Sequence, residues 1–192
     1  MRTRARVQTS RAVGEAALAA VLPPVIASGD SWHVCSAGDV DGLSYLAHLL
    51  AAMPAAHVIV STWCMSLDDV QHLAAWLDAG RIGRLDVYVG EIFPSQYAPA
   101  YDELCRVLRA HPGGGRCAVF RNHAKVVVFA NPARRYFVTV ESSANLNTNP
   151  RNEQTALTRS RPLADFYRRF FDGVRSLQRN FDDWAPRGWQ TA

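Results

Sequence analysis

Beyond the breaker His111-Pro112-Gly113-Gly114-Gly115, the chain leaves no room for helices between its apolar segments. β-Branched runs at 117–121, 123–129 and 135–141 follow one another, and Asn131-Pro132-Ala133-Arg134 turns between the last two. Three such strands in succession must lie side by side in one sheet. The glycines precede a strand rather than a helix, and no Gly-Lys-Ser/Thr follows them. They read as a turn and not as a phosphate loop.

Upstream of the breaker the rhythm differs. A strand over Trp32–Ser36 leads into a helix over Val40–Met53, with Leu43, Leu46, Ala47 and Leu50 on one stripe. Asp39 reads as its cap and Pro54 follows its end. The run His57–Trp63 is apolar throughout, as in a strand buried on both faces of a parallel sheet. Ser66-Leu67-Asp68-Asp69 forms a capping box before a helix that buries Val70, Leu73 and Leu77 and stops at Gly80. A strand over Arg84–Val89 and a helix over Pro99–Ala110 complete the alternation. After a loop over 142–151 comes a strand at Glu153–Leu157. A covering helix over 161–183 then opens at Ser160 and Pro162 and carries Leu163, Phe166, Tyr167, Phe170, Val174 and Leu177 on one face. Helical spacing of Phe166, Tyr167, Phe170 and Phe171 favours core packing over base stacking.

These segments predict an α/β fold, a mixed β-sheet sandwiched by helices. One domain spans 1–192, with 1–29 as an N-terminal helical extension. The arginines at 2, 4, 6 and 11 before the apolar run Ala16–Ala27 resemble a secretion signal, but Glu15 and Pro23-Pro24 favour an amphipathic helix. No apolar run approaches the ~18 residues of a membrane span, so no stable membrane association is expected. Cys35, Cys64, Cys105 and Cys117 are widely spaced, and His33-Val34-Cys35 has no second pair to complete a metal site. Free thiols point to a reducing cytoplasm, and neither metal nor cofactor is expected. A net charge of +4 suits an anionic partner.

The chemistry-bearing residues concentrate between 121 and 153. His123 and Lys125 stand two apart, so strand alternation turns both to one side. An imidazole beside an ammonium suits attack on a phosphodiester: one group attacks phosphorus while the other neutralises oxygen charge. Ser143, Asn145 and Glu153 follow, and Glu141 adds a carboxylate beside the serines. Asn147 and Asn149 read as turn formers. The arginines at 134, 135, 151, 159 and 161 lie close to this cluster in sequence, as a solvated rim or a phosphate-backbone contact surface.

His123-x-Lys125 followed by Ser143-x-Asn145 resembles the phospholipase D-like superfamily. The similarity is greatest to single-motif members, which include bacterial endonucleases and phage-encoded proteins. The resemblance implies a phospholipase D-like half-domain and a nucleophilic, phosphorylated His123. It also implies a phosphate-binding Lys125, oxygen-binding Ser143 and Asn145, and a Glu153 that orients the histidine. The pattern departs from the family at three places. Ala130 stands where the family has aspartate, Ser142 stands where it has glycine, and the spacer from Lys125 to Ser143 is longer. With one H-x-K in the chain, two copies would have to pair as a homodimer. The implied function is a metal-independent phosphodiesterase, a nuclease acting on nucleic acid. A catalytically degenerate phosphate- or nucleic-acid-binding module and a phospholipase are the alternatives.

Overall fold

The structure, a computed structural model, describes residues 13–147, 151–179, 181 and 187–189. The four N-terminal arginines and Asn149 lie outside the described residues. A helix α1 covers 13–21. Then follow β1 Ser31–Ser36, α2 Gly42–Ala52, β2 Ala55–Thr62, α3 Leu67–Asp78, β3 Ile82–Gly90, the short α4 Phe93–Gln96 and α5 Ala98–Ala110. After the glycine turn come β4 Gly115–Phe120, β5 Lys125–Asn131, a 3₁₀ turn Pro132–Arg134, β6 Tyr136–Ser142, β7 Glu153–Arg159 and α6 Arg161–Asp172.

All seven strands form one sheet in the order β1-β7-β6-β5-β2-β3-β4. β2, β3 and β4 run parallel, joined by helical crossovers, and their side chains are buried on both faces. β5 returns antiparallel beside β2, and β6, β7 and β1 continue antiparallel to the far edge. The mixed sheet expected from the sequence is the sheet observed.

The two faces are covered unequally. Leu18 and Leu22 of the N-terminal segment and the apolar stripes of α2, α3 and α5 pack with Val58, Val60, Val87, Phe129 and Val138 into the larger cluster. Burial of each such side chain contributes ~1.5–3 kcal/mol. The opposite face holds a smaller cluster of Ile59, Tyr88, Val128, Ala130 and Phe137, closed by Ala164 and Phe171 of α6. Ala130, at the place of the family aspartate, is fully buried there.

Three expectations are corrected. α2 begins at Gly42, not Val40, and its cap is Asp41, whose carboxylate accepts from Ser44 N and Oγ at 2.8 Å each. Asp39 accepts only from Ala37 N at 3.3 Å. α6 ends at Asp172, because Gly173 closes the last turn and the chain then runs along the β4 edge, where Leu177 N donates to Val119 O at 2.7 Å. Leu177 is therefore exposed, and Val174 packs on the smaller cluster from outside the helix. Phe166 and Phe170 are 55% and 53% exposed instead of buried, since α6 packs on β6 and β5 and no helix among the described residues flanks it there.

Candidate active site

Neighbouring strands place Lys125, Ser142, Thr155 and Val34 in one row across β5, β6, β7 and β1. This row crosses the sheet at the carboxyl ends of the parallel strands. His123 is not in a strand, because β5 starts only at Lys125. A loop over 121–124 carries it, and that loop is fixed by Asn122. The buried Asn122 amide donates to Ser61 Oγ at 3.0 Å, Thr62 O at 3.2 Å and Tyr88 O at 3.0 Å. Its Oδ1 accepts from Ala124 N at 3.0 Å, which bends the chain so that the next residue enters the sheet.

His123 and Lys125 do meet, though by this turn rather than by strand alternation. Lys125 Nζ lies 2.8 Å from His123 Nδ1 and 3.2 Å from Nε2, and it donates to the His123 carbonyl at 2.8 Å. The imidazole is exposed and packs against Trp63, with ring centroids 5.6 Å apart. Trp63 fits because position 90 is glycine: a Cβ on Gly90 would stand 2.5 Å from Trp63 Cδ1. Partial burial pushes the Lys125 ammonium below its ordinary pKa, against the opposing charge of Glu153.

Across the row, Ser143 Oγ donates to Glu153 Oε2 through a short hydrogen bond and accepts from Gln154 N at 3.0 Å. Glu153 thus orients Ser143 within the chain. Ser142, in place of the family glycine, accepts from Ala144 N at 3.0 Å and lies 2.7 Å from Thr155 Oγ1, which shapes the bend after β6. Asn145 is anchored at both ends. Its carbonyl accepts from Gly42 N at 3.0 Å, and its Oδ1 accepts from Thr62 Oγ1 at 3.4 Å. Asn147 Oδ1 accepts from the buried Cys64 thiol at 3.8 Å.

Glu141 hydrogen-bonds outside this group. One residue out of phase with Ser142, it projects to the α6 face and accepts from Tyr167 Oη at 2.5 Å. Burial and that carboxylate push the Tyr167 phenol well above its ordinary pKa. A cleft of about 370 Å³, lined by Glu141, Ser143, Gln154, His33 and Cys35, adjoins the serines. The arginines at 134, 135, 159 and 161 lie at the other end of the strands. Sequence reasoning missed Asn122, Thr62 and Trp63. The signal was present in the Ser-Thr-Trp end of an otherwise apolar strand.

An α/β sheet with His, Lys, Ser and Glu at the carboxyl ends of its parallel strands places these residues where open α/β sheets bind ligands. Two solved structures are similar. Polyphosphate kinase from Porphyromonas gingivalis matches with a TM-score of 0.55 and 19% identity, covering 78% of this chain and 27% of that one. Phosphatidylserine synthase from Haemophilus influenzae matches with a TM-score of 0.51 and 13% identity, covering 73% and 37%. At these identities the likeness is one of fold: this chain shares the α/β fold of the matched part of each. The chain spans about a quarter of one and over a third of the other. No protein-family profile matches the chain, and no curated protein matches its sequence. No helix among the described residues is long and apolar enough to cross a membrane.

Proposed function

We propose that the chain is a phosphodiesterase that works through a phosphohistidine, cuts nucleic acid and pairs two copies of its site. The observation that carries this reading is the exposed His123 imidazole with the Lys125 ammonium 2.8 Å away. An arriving phosphodiester draws Lys125 from the imidazole onto a non-bridging oxygen. The Nδ2 group of Asn145 donates to the other non-bridging oxygen, and Ser143 turns its one proton from Glu153 to the same oxygen. Together they stabilise the charge that grows as phosphorus becomes pentacoordinate. The freed ring nitrogen attacks phosphorus, an N–P bond forms and the bond to the leaving oxygen breaks. His123 of the second copy gives that oxygen its proton, then takes one from the water that cleaves the N–P bond. Glu153 keeps the Ser143 hydroxyl in position. The lysines supply the positive charge, so the reaction as drawn needs no divalent ion.

The test is hydrolysis of bis(p-nitrophenyl) phosphate and of single- and double-stranded DNA in the presence of chelator. His123→Ala is expected to lower the rate at least about a thousandfold. An unchanged rate in that variant overturns the mechanism. Salt-sensitive retention of DNA without cleavage by the parent chain identifies a binding module instead. Release of headgroup from phospholipid vesicles identifies a phospholipase.

A further inference from the structure

The end of the sheet opposite His123 carries a second concave surface. The turn after β5, the end of β7 and the first turn of α6 enclose a cleft of about 750 Å³ with Arg134, Arg135, Arg159 and Arg161 in its wall. No acidic side chain lines it among the described residues. Arg159 is a structural member: its Nη1 donates to Ile26 O at 2.9 Å, and its guanidinium lies 4.6 Å from the Tyr136 ring centroid. Arg161 leans over Phe137 at 5.4 Å, reaches Asp165 at 3.6 Å and is 65% exposed. Arg134 and Arg135 are exposed, and neither side chain has a hydrogen bond or ion pair among the described residues.

Four guanidinium groups around one cleft repel one another, and one acidic partner, Asp165, offsets that repulsion only in part. The backbone is also strained in their favour. Arg135 is the one non-glycine residue with positive φ among the described residues, at φ 52° and ψ 37°. Glycine or asparagine holds that conformation more cheaply, and strain of this kind persists where function requires the side chain. The α6 N-terminus, at Ser160 and Pro162, opens on the same cleft and adds its positive dipole end.

We infer that this cleft grips the phosphodiester backbone of a nucleic acid outside the cutting site. The inference rests on the nucleic-acid reading of the His123 site. Guanidinium forks match phosphate oxygens in pairs. The one aromatic ring in the wall, Phe137, is 4% exposed, and Pro162 is the only exposed apolar side chain among the described lining residues, too little for an acyl chain. Strands β5, β6 and β7 have seven residues each, which separates the two sites by about 20 Å at ~3.3 Å per residue. A duplex rising ~3.4 Å per base pair covers that span in about six pairs.

The experiment uses the full chain carrying His123→Ala, so that binding is read without cleavage. Anisotropy of a labelled 20-base-pair DNA and of its single strand is titrated across NaCl concentrations. The same chain carrying Arg134→Ser and Arg135→Gly in addition is compared with it. The arginine variant is expected to bind at least about tenfold more weakly at 0.1 M NaCl. The slope of log K against log salt should fall by nearly two, at ~0.9 per lost phosphate contact. Its melting temperature should not fall, because glycine relieves position 135. Arg134→Gln alone, expected to lower the slope by about one, covers the case in which the double change misfolds. In chains that retain His123, these arginine changes should leave bis(p-nitrophenyl) phosphate hydrolysis unchanged. DNA bound equally by parent and arginine variants overturns the inference and spares the nucleic-acid reading. DNA bound by neither overturns both, and hydrolysis of the small diester then shows whether the His123 chemistry survives. Arginine-dependent binding of tripolyphosphate with none of DNA also overturns the inference.

Discussion

Asn122 determines where the imidazole stands. Its side chain is 4% exposed and ties the His123 loop to the ends of β2 and β3, through partners 61, 60 and 34 residues away in sequence. No apolar side chain replaces these bonds, because Ser61 Oγ, the carbonyls of Thr62 and Tyr88 and the Ala124 N–H would all lose a partner. A buried polar group left unpaired costs about 1–3 kcal/mol, so Asn122→Ala should lower stability by roughly 3 kcal/mol in urea unfolding. On the proposed mechanism the folded variant should also lose kcat far more than KM, since Lys125, Ser143 and Asn145, proposed to hold the phosphate, sit on strands and loops that remain. A variant as unstable as this but with normal kcat would show that Asn122 only holds the core together. Gly90 works beside it by absence of a side chain, leaving the space that Trp63 fills against the histidine.

At the scale of elements, caps decide where the site's supports begin. Asp41, 2% exposed, closes the first turn of α2, and the adjacent Gly42 N–H holds the Asn145 carbonyl. Asp41→Ala should therefore cost about 1–2 kcal/mol, whereas Asp39→Ala, on the exposed neighbour, should stay within about 0.5 kcal/mol. Thermal melts of the two variants separate the assignments. The sequence carries two aspartates two apart, and only the fold shows which one reaches Ser44. The same limit explains what else could and could not be read. The capping box at Ser66 and Asp69 is local, and it forms as its residues imply. The apolar run of β2 announces burial on both faces, and it is so buried. Asn122 carries no local signal, because its partners come from other strands. The arginines at 134, 135, 159 and 161 look adjacent to the His123 cluster when written in a line. Seven-residue strands carry them to the other end of the sheet. Helical spacing places Phe166 and Phe170 on one stripe with Tyr167, but spacing alone does not say how far the opposing layer extends.

For the whole molecule, the second face buries charge beside its apolar packing. Asp86 and His57 are nearly sealed, with side-chain exposures of 2% and 1%, and their Oδ2 and Nε2 atoms lie 3.0 Å apart. Arg84 Nη2 donates to His57 Nδ1 at 3.0 Å, so the proton of the neutral ring sits on Nε2 and points to Asp86. Burial pushes the His57 pKa below its ordinary 6.5, and the nearby Arg84 charge adds to that. Burial alone would raise Asp86, but the His57 bond and the charges of Arg84 and Arg116 outweigh it and hold the carboxyl low. The sign for each group follows from which state binds the proton. The unfolded chain protonates His57 near pH 6.5 while the folded chain resists, so stability falls as pH drops below 6.5. Asp86 contributes stability above its unfolded value of 3.8, and that contribution is lost as pH falls toward its depressed folded pKa. Urea unfolding between pH 7 and 5 should show stability declining, with His57 supplying up to about 1.4 kcal/mol per pH unit once well below 6.5. His57→Asn should be less stable at pH 7, because Asp86 Oδ2 loses the Nε2 donor that the shorter amide does not reach, yet its stability should change less between pH 7 and 5. If the variant and parent curves run parallel across that window, His57 is protonated alike in both states and the neutral-ring assignment fails.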